Sequence, residues 1–261
     1  MRLGRFDTDR LSDIVRLAGL TDPGEPIRVV LASEDSELAR TTPSWIAGLA
    51  HGPSGTIALF PSRSVRYPHD SLESVLQHEV AHILIHRAAG GHDVPRWFNE
   101  GLATIAEREW RLEDRRRLAW ALLVRSPRRM TEVDQQFLQG PAEAGRAYAV
   151  STAFVRHIRE SHGAAAPGRI LGLIATGVTF ERAFAEATGM PLSHREAAFL
   201  ARIRSWERWV PLVTSPLVLW TGVTLLALVA IWRRRRRSAA LRRRWAEEDA
   251  PEALTDRNPG T

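Results

Sequence analysis

The sequence predicts an α+β chain: a small N-terminal β-sheet, a mainly helical domain after it, and one C-terminal transmembrane helix. Three observations carry this. The two short runs that read as strands lie in the first sixty residues, helical patterning takes over after Pro68, and a charge-free apolar run near the C-terminus ends in a block of arginines. The 261 residues are 44% hydrophobic and 25% charged, a globular rather than a disordered balance. The absence of cysteine excludes disulfides and thiolate metal sites but does not fix the compartment. The formal charge of +6 is carried by arginine alone, with no lysine, as GC-rich codon usage gives.

Two runs read as short buried strands, "IRVVLA" (Ile27–Ala32) and "TIALF" (Thr56–Phe60), bounded by proline, glycine and serine. Between them, Pro43, Gly48, Gly52, Pro53 and Gly55 predict a loop or hairpin. Asp70 with Glu73 suits a capping box, opening a helix that runs to about Ala89 and stops at Gly90-Gly91. A second helix is expected near Trp97, after Pro95. Further helices are expected over Glu113–Val124, Ala142–Glu160, Thr179–Thr188 (closed by Gly189) and Ser193–Trp209. There is no internal repeat. One folded unit is expected over residues 1–209.

From Pro211 to Trp232 there is no charged residue, and the run has about the 20 residues a bilayer-spanning helix needs. Trp209, Trp220 and Trp232 suit the interfacial belt. Arg233–Arg237 come at once after it, and Arg242–Arg244 shortly after those. A core helix would carry a polar stripe and would not run into five arginines, so residues 210–232 are read as a transmembrane helix. Residues 233–261 are then a basic tail that becomes disordered, with anionic lipid as its expected partner. The arginines abut the apolar run, which favours a stop-transfer flank over a nucleic-acid arm, so no nucleic-acid partner is expected.

"LQHEVAHILIHR" (Leu76–Arg87) sets polar groups in an apolar helix. Residues at i and i+4 share a helix face, so His78 and His82 project side by side, near enough for one metal ion. Glu79 is turned away from that pair and can reach a water on the metal. This is H-E-x-x-H, the zinc-hydrolase spacing. The bland alternative is a helix with two partly buried histidines. A third ligand is needed. His86 lies eight residues from His78, roughly 12 Å along the axis, too far for one shell. Glu100, early in the next helix among Trp97, Phe98, Leu102 and Ala103, would be costly to bury unpaired.

"HEVAH" followed by "WFNEGLA" resembles the gluzincin zinc peptidases, and small proteins of the peptidase MA-like kind above all. The resemblance covers about Ser71–Glu107 well and the helices up to Trp209 more loosely. It implies a zincin-like domain, Zn2+ as cofactor, His78, His82 and Glu100 as ligands, and Glu79 as catalytic base. It also implies a peptide substrate along a sheet edge, with "TIALF" as the candidate. No "GAMEN"-like aminopeptidase motif is present.

Metal-bound imidazoles give their other N–H to a carboxylate or carbonyl. Glu107, two turns after Glu100, suits that second shell; the alternative is a solvated glutamate in "EREW". Asn99 reads as a helix cap, with a substrate contact as the alternative. The oxyanion of acyl transfer needs a donor. Similar proteins carry a tyrosine after the glutamate ligand, which singles out Tyr148; the alternative is a packing role. His157 and His162 are weaker candidates.

The expected function is therefore a membrane-anchored zinc metallopeptidase, with a catalytically inactive peptide- or partner-binding zincin as the alternative. Arginine placement predicts a cytoplasmic tail and an extracytoplasmic domain. "MRLGRFDTDRLSDIVRLAGL" lacks the apolar core of a signal peptide, so this topology expects a start upstream of Met1; the alternative is a cytoplasmic domain with the tail translocated against the charge rule.

Overall fold

The computed structural model describes residues 8–124, 127, 129–202, 220–221 and 223–235. The chain divides into two units, Met1–Ser205 and Trp206–Thr261. The first unit is α+β, mainly helical around a three-stranded sheet.

Helix α1 (Thr8–Ala18) precedes β1 (Arg28–Leu31), and a short α2 (Glu37–Thr41) leads to β2 (Gly48–His51) and β3 (Thr56–Leu59). The sheet order is β1-β3-β2, with β1 parallel and β2 antiparallel to β3. Two expectations change here. Ile27–Ala32 is not a buried strand: all four residues of β1 are exposed, Leu31 to 54%, because β1 is an outer edge. The stretch expected to be loop contains β2, joined to β3 by a 3-10 turn whose left-handed Gly55 (φ 60) closes the hairpin. Strand β3 is therefore central, and "TIALF" offers no free edge. The free edge beside the cleft belongs to β2. The segment before β2 is tied down by the buried Arg63. Its guanidinium donates to the Pro43, Ile46 and Ala39 carbonyls at 2.8–3.0 Å and pairs with Glu34 at 3.0 Å.

Helix α3 spans Leu72–Ala88. Its N-cap is Ser71 rather than Asp70: the Ser71 hydroxyl accepts from Ser74 N–H, and the Ser74 hydroxyl accepts from Ser71 N–H, both at 3.1 Å. Serine thus fills the reciprocal role expected of Glu73, while Asp70 pairs with Arg111. Most of α3 is buried, its polar Gln77, His78 and Glu79 included.

Helix α4 (Arg96–Glu107) comes after a loop with left-handed Gly90 and Gly91. Its N-terminus lacks a side-chain cap of its own; Asp134 Oδ1, from α6 (Met130–Gln136), accepts from Trp97 N–H at 2.5 Å. Helices α5 (Leu112–Val124), α7 (Pro141–His162), α8 (Ala166–Ile174) and α9 (Phe180–Thr188) complete the described elements with a helical stretch at 192–202. Helices α1, α2, α6 and α8 were not expected from the sequence. Helices α4 and α7 pack closely at Gly101, where a Cβ would meet the Ser151 carbonyl oxygen at 2.7 Å. Trp97, Phe98, Phe154, Phe180 and Phe184 fill the core beneath them, with ring centroids 5.0–6.2 Å apart in successive pairs.

In the second unit, residues 220–221 and 223–235 are helical and exposed. Among the described residues no helix is long and apolar enough to cross a membrane. Residues 210–219 and 222 of the expected transmembrane segment, and the tail from 236, lie outside the described residues.

Candidate metal centre

Helices α3 and α4 bring His78, His82 and Glu100 together. One ligand atom from each lies within 4.8 Å of the others. Glu100 Oε2 is 3.2 Å from His78 Nε2 and 3.5 Å from His82 Nε2. Donor atoms about 2 Å from one tetrahedral zinc stand roughly 3.3 Å apart, so this donor set fits a zinc ion. His86 is half-buried, with its ring against Gly52, and stays outside the cluster.

The other ring nitrogens are held from α4. His82 Nδ1 lies 2.8 Å from Asn99 Oδ1. His78 Nδ1 lies 3.2 Å from Glu107 Oε2, at hydrogen-bond distance though outside ideal alignment. An acceptor at Nδ1 fixes the tautomer that leaves the Nε2 lone pair free for a metal. Asn99 is therefore not the expected cap: Pro95 occupies that position, and Asn99 sits inside α4. Glu107 is fully buried, which excludes the solvated alternative.

The electrostatics favour a cation. Burial works against a charged His78, but the contacts to Glu100 and Glu107 outweigh it and raise His78 to about 10. His82 is raised despite its burial, chiefly by Glu100. Burial pushes Glu107 up, but its bonds to His69 and His78 bring it down to about 2. Glu100 is held well below the usual range against its burial, by His82 and His78. Glu79, Glu100 and Glu107, buried or half-buried around His69, His78 and His82, thus call for positive charge, as protons or as a metal ion.

Glu79 is 6% exposed, and burial raises its pKa, which makes it a stronger base than a surface glutamate. It lies against β2, where a Cβ on Gly48 would meet Glu79 Oε1 at 2.9 Å. Tyr148, on α7, stands beside the cluster with its ring centroid 6.0 Å from that of His78. Burial, then Glu100 and Glu79, raise its hydroxyl well above its ordinary pKa, so it stays a neutral donor. His157 stacks on Phe199, and His162 Nε2 contacts Arg195; neither lines the cleft. His69, which no sequence motif singled out, does line it.

These groups open into one cleft of about 1090 Å³. Gly48, Leu49 and Ala50 of β2 form one wall, and Phe137, Leu138 and Trp120 contribute apolar surface. Two histidines and a glutamate from packed helices, with a buried glutamate facing an open cleft beside an edge strand, define the class of site that metallopeptidases use. Residues 12–205 match the family model described as the Peptidase MA superfamily, and the chain belongs to that family. No curated protein and no solved structure matches the chain.

Proposed function

We propose that the protein is a gluzincin-type zinc peptidase, with His78, His82 and Glu100 as metal ligands and Glu79 as general base. The observation that carries this reading is the spacing of His78 Nε2 and His82 Nε2 about Glu100 Oε2, 3.2 and 3.5 Å, beside a buried glutamate. When bound, zinc would polarise the attacking water and the scissile carbonyl. Glu79 takes the proton of the attacking water and passes it to the leaving amine. Asn99 and Glu107 hold the two ligand imidazoles in register. The Tyr148 hydroxyl donates to the oxygen on which negative charge develops. The substrate backbone lies along the free edge of β2, adding a strand to the sheet.

The domain is tethered to a membrane through residues 210–232, with the arginines from Arg233 on the cytoplasmic side. The length and purity of the apolar run and its basic flank support this.

The test joins metal analysis to a peptide-library assay. Protein purified without added metal is expected to hold one zinc per chain and to cut peptides until chelated. Glu79→Gln is expected to keep its zinc and fold and lose nearly all cleavage, because an amide cannot take the proton. Full cleavage by Glu79→Gln, or full zinc affinity in His78→Ala or Glu100→Ala, would overturn the assignment.

A further inference from the structure

His69 lies in the segment between β3 and α3, two residues ahead of the Ser71 cap. Its Nδ1 is 2.9 Å from Glu107 Oε2, the oxygen that also faces His78 Nδ1 at 3.2 Å. One buried carboxylate oxygen therefore serves two imidazoles. The His69 ring stands edge-on to His78 with centroids 4.7 Å apart, and 6.4 Å from the ring of Tyr148. Its side chain is 14% exposed and lines the cleft.

With Nδ1 committed to Glu107, Nε2 is the remaining polar atom. It has no protein partner among the described residues and is not among the enclosed, unsatisfied atoms, so it opens on the cleft. A fully buried carboxylate behind an imidazole fixes the ring's orientation and presents its far nitrogen to whatever enters. His69 and Tyr148 both flank His78, the ligand at the centre of the cluster. A peptide seated along β2 has backbone polar groups that lose water on entering and need partners.

We propose that His69 is a further substrate-contacting residue, hydrogen-bonding the peptide backbone beside the scissile bond through Nε2. Glu107 is then the common brace of one metal-ligating and one substrate-contacting imidazole. The inference rests on the peptidase reading above, and its rival is a purely structural role in which His69 only steadies Glu107.

Two substitutions separate these roles by geometry. The amide nitrogen of glutamine falls near the place of Nε2, and that of asparagine near Nδ1. His69→Ala, His69→Gln and His69→Asn are compared for thermal unfolding, zinc affinity by chelator competition, and kcat/KM on a peptide the wild type cuts. Binding of the same peptide is measured in a Glu79→Gln background, where it is not consumed. His69→Ala is expected to keep its zinc affinity, lose about a hundredfold in kcat/KM, and bind the peptide about tenfold more weakly. His69→Gln is expected to recover more activity than His69→Asn. Recovery by Asn but not Gln, or zinc affinity falling in step with activity, overturns the substrate contact. Wild-type kinetics in His69→Ala overturn this inference alone, provided Glu79→Gln is inactive. A zinc-loaded wild type that cuts no peptide overturns the peptidase reading and this inference with it.

Discussion

At the scale of single residues, the cluster works by pairing each imidazole with a partner on its outer nitrogen. Asn99 and Glu107 share one helix with Glu100, at positions −1 and +7 relative to it, so α4 alone supplies the carboxylate and both braces. Sequence reasoning reached Glu107 but read Asn99 as a cap, because an asparagine in the first turn of a helix is a familiar cap. It missed His69 altogether: the partners are 38 positions apart, and no periodicity links a loop histidine to a helix glutamate. Tyr148 tests the same cluster from α7. Tyr148→Phe is expected to retain zinc and lower kcat roughly a hundredfold, the scale of one lost oxyanion donor. Unchanged kcat with full zinc content would return Tyr148 to a packing role against Phe137, whose ring lies 5.0 Å away.

At the scale of elements, one contact sets a wall of the cleft and another holds two helices together. Strand β2 presses on α3 through Gly48, where a Cβ would come within 2.6 Å of Val75 Cγ1 and 2.9 Å of Glu79 Cγ and Oε1. Gly48→Ala must therefore move Val75 and Glu79 or the strand. Its kcat/KM is expected to fall tenfold to a hundredfold with zinc content unchanged, measured beside metal analysis; full activity would show that β2 yields without disturbing Glu79. The second contact joins the C-cap of α4, Arg108, to α5. Arg108 and Asp114 form a two-pronged pair at 2.6 and 2.8 Å, with side chains 7% and 1% exposed. Burial raises Asp114, but its bonds to Arg108 and to the Arg111 N–H win and lower it. A carboxylate lowered in the folded state stabilises the fold above its unfolded pKa of about 3.9 and loses that contribution as pH falls through the folded value. Asp114→Asn is thus expected to cost about 3 kcal/mol at neutral pH, with the gap from wild type closing as pH drops below the ordinary carboxylate range. Urea unfolding across pH reads this directly. A gap that persists in acid would assign the loss to packing rather than to charge.

At the scale of the whole molecule, the family match and the unit boundary coincide: residues 12–205 match the Peptidase MA superfamily, and the first unit ends at Ser205. The proposed task of the chain beyond Ser205 is tethering. Moving the arginines from Arg233 onward across a bilayer is unfavourable, so the unit bearing His78 is expected outside and the tail inside. Protease added to intact cells is expected to digest the unit bearing His78 and to spare a tag at Thr261. A tag digested while the unit stays protected until lysis would reverse the topology, and recovery of all the protein in the soluble fraction would remove the membrane tether.

The sequence by itself determined the local features. The i, i+4 spacing of His78 and His82, the stop at Gly90-Gly91 and the Pro95 start of the next helix are short-range chemistry, and the helices appear within a residue or two of expectation. Only the tertiary structure decided which strand is the edge, because strand order depends on pairing between distant segments. "TIALF" is buried because it is central, and β2 reaches the cleft because the hairpin at Gly55 folds it back. The same holds for the braces: Asn99 on His82, and Glu107 between His78 and His69, exist only once α3 and α4 pack, since a hydrogen bond across 17 or 38 residues leaves no local pattern to read.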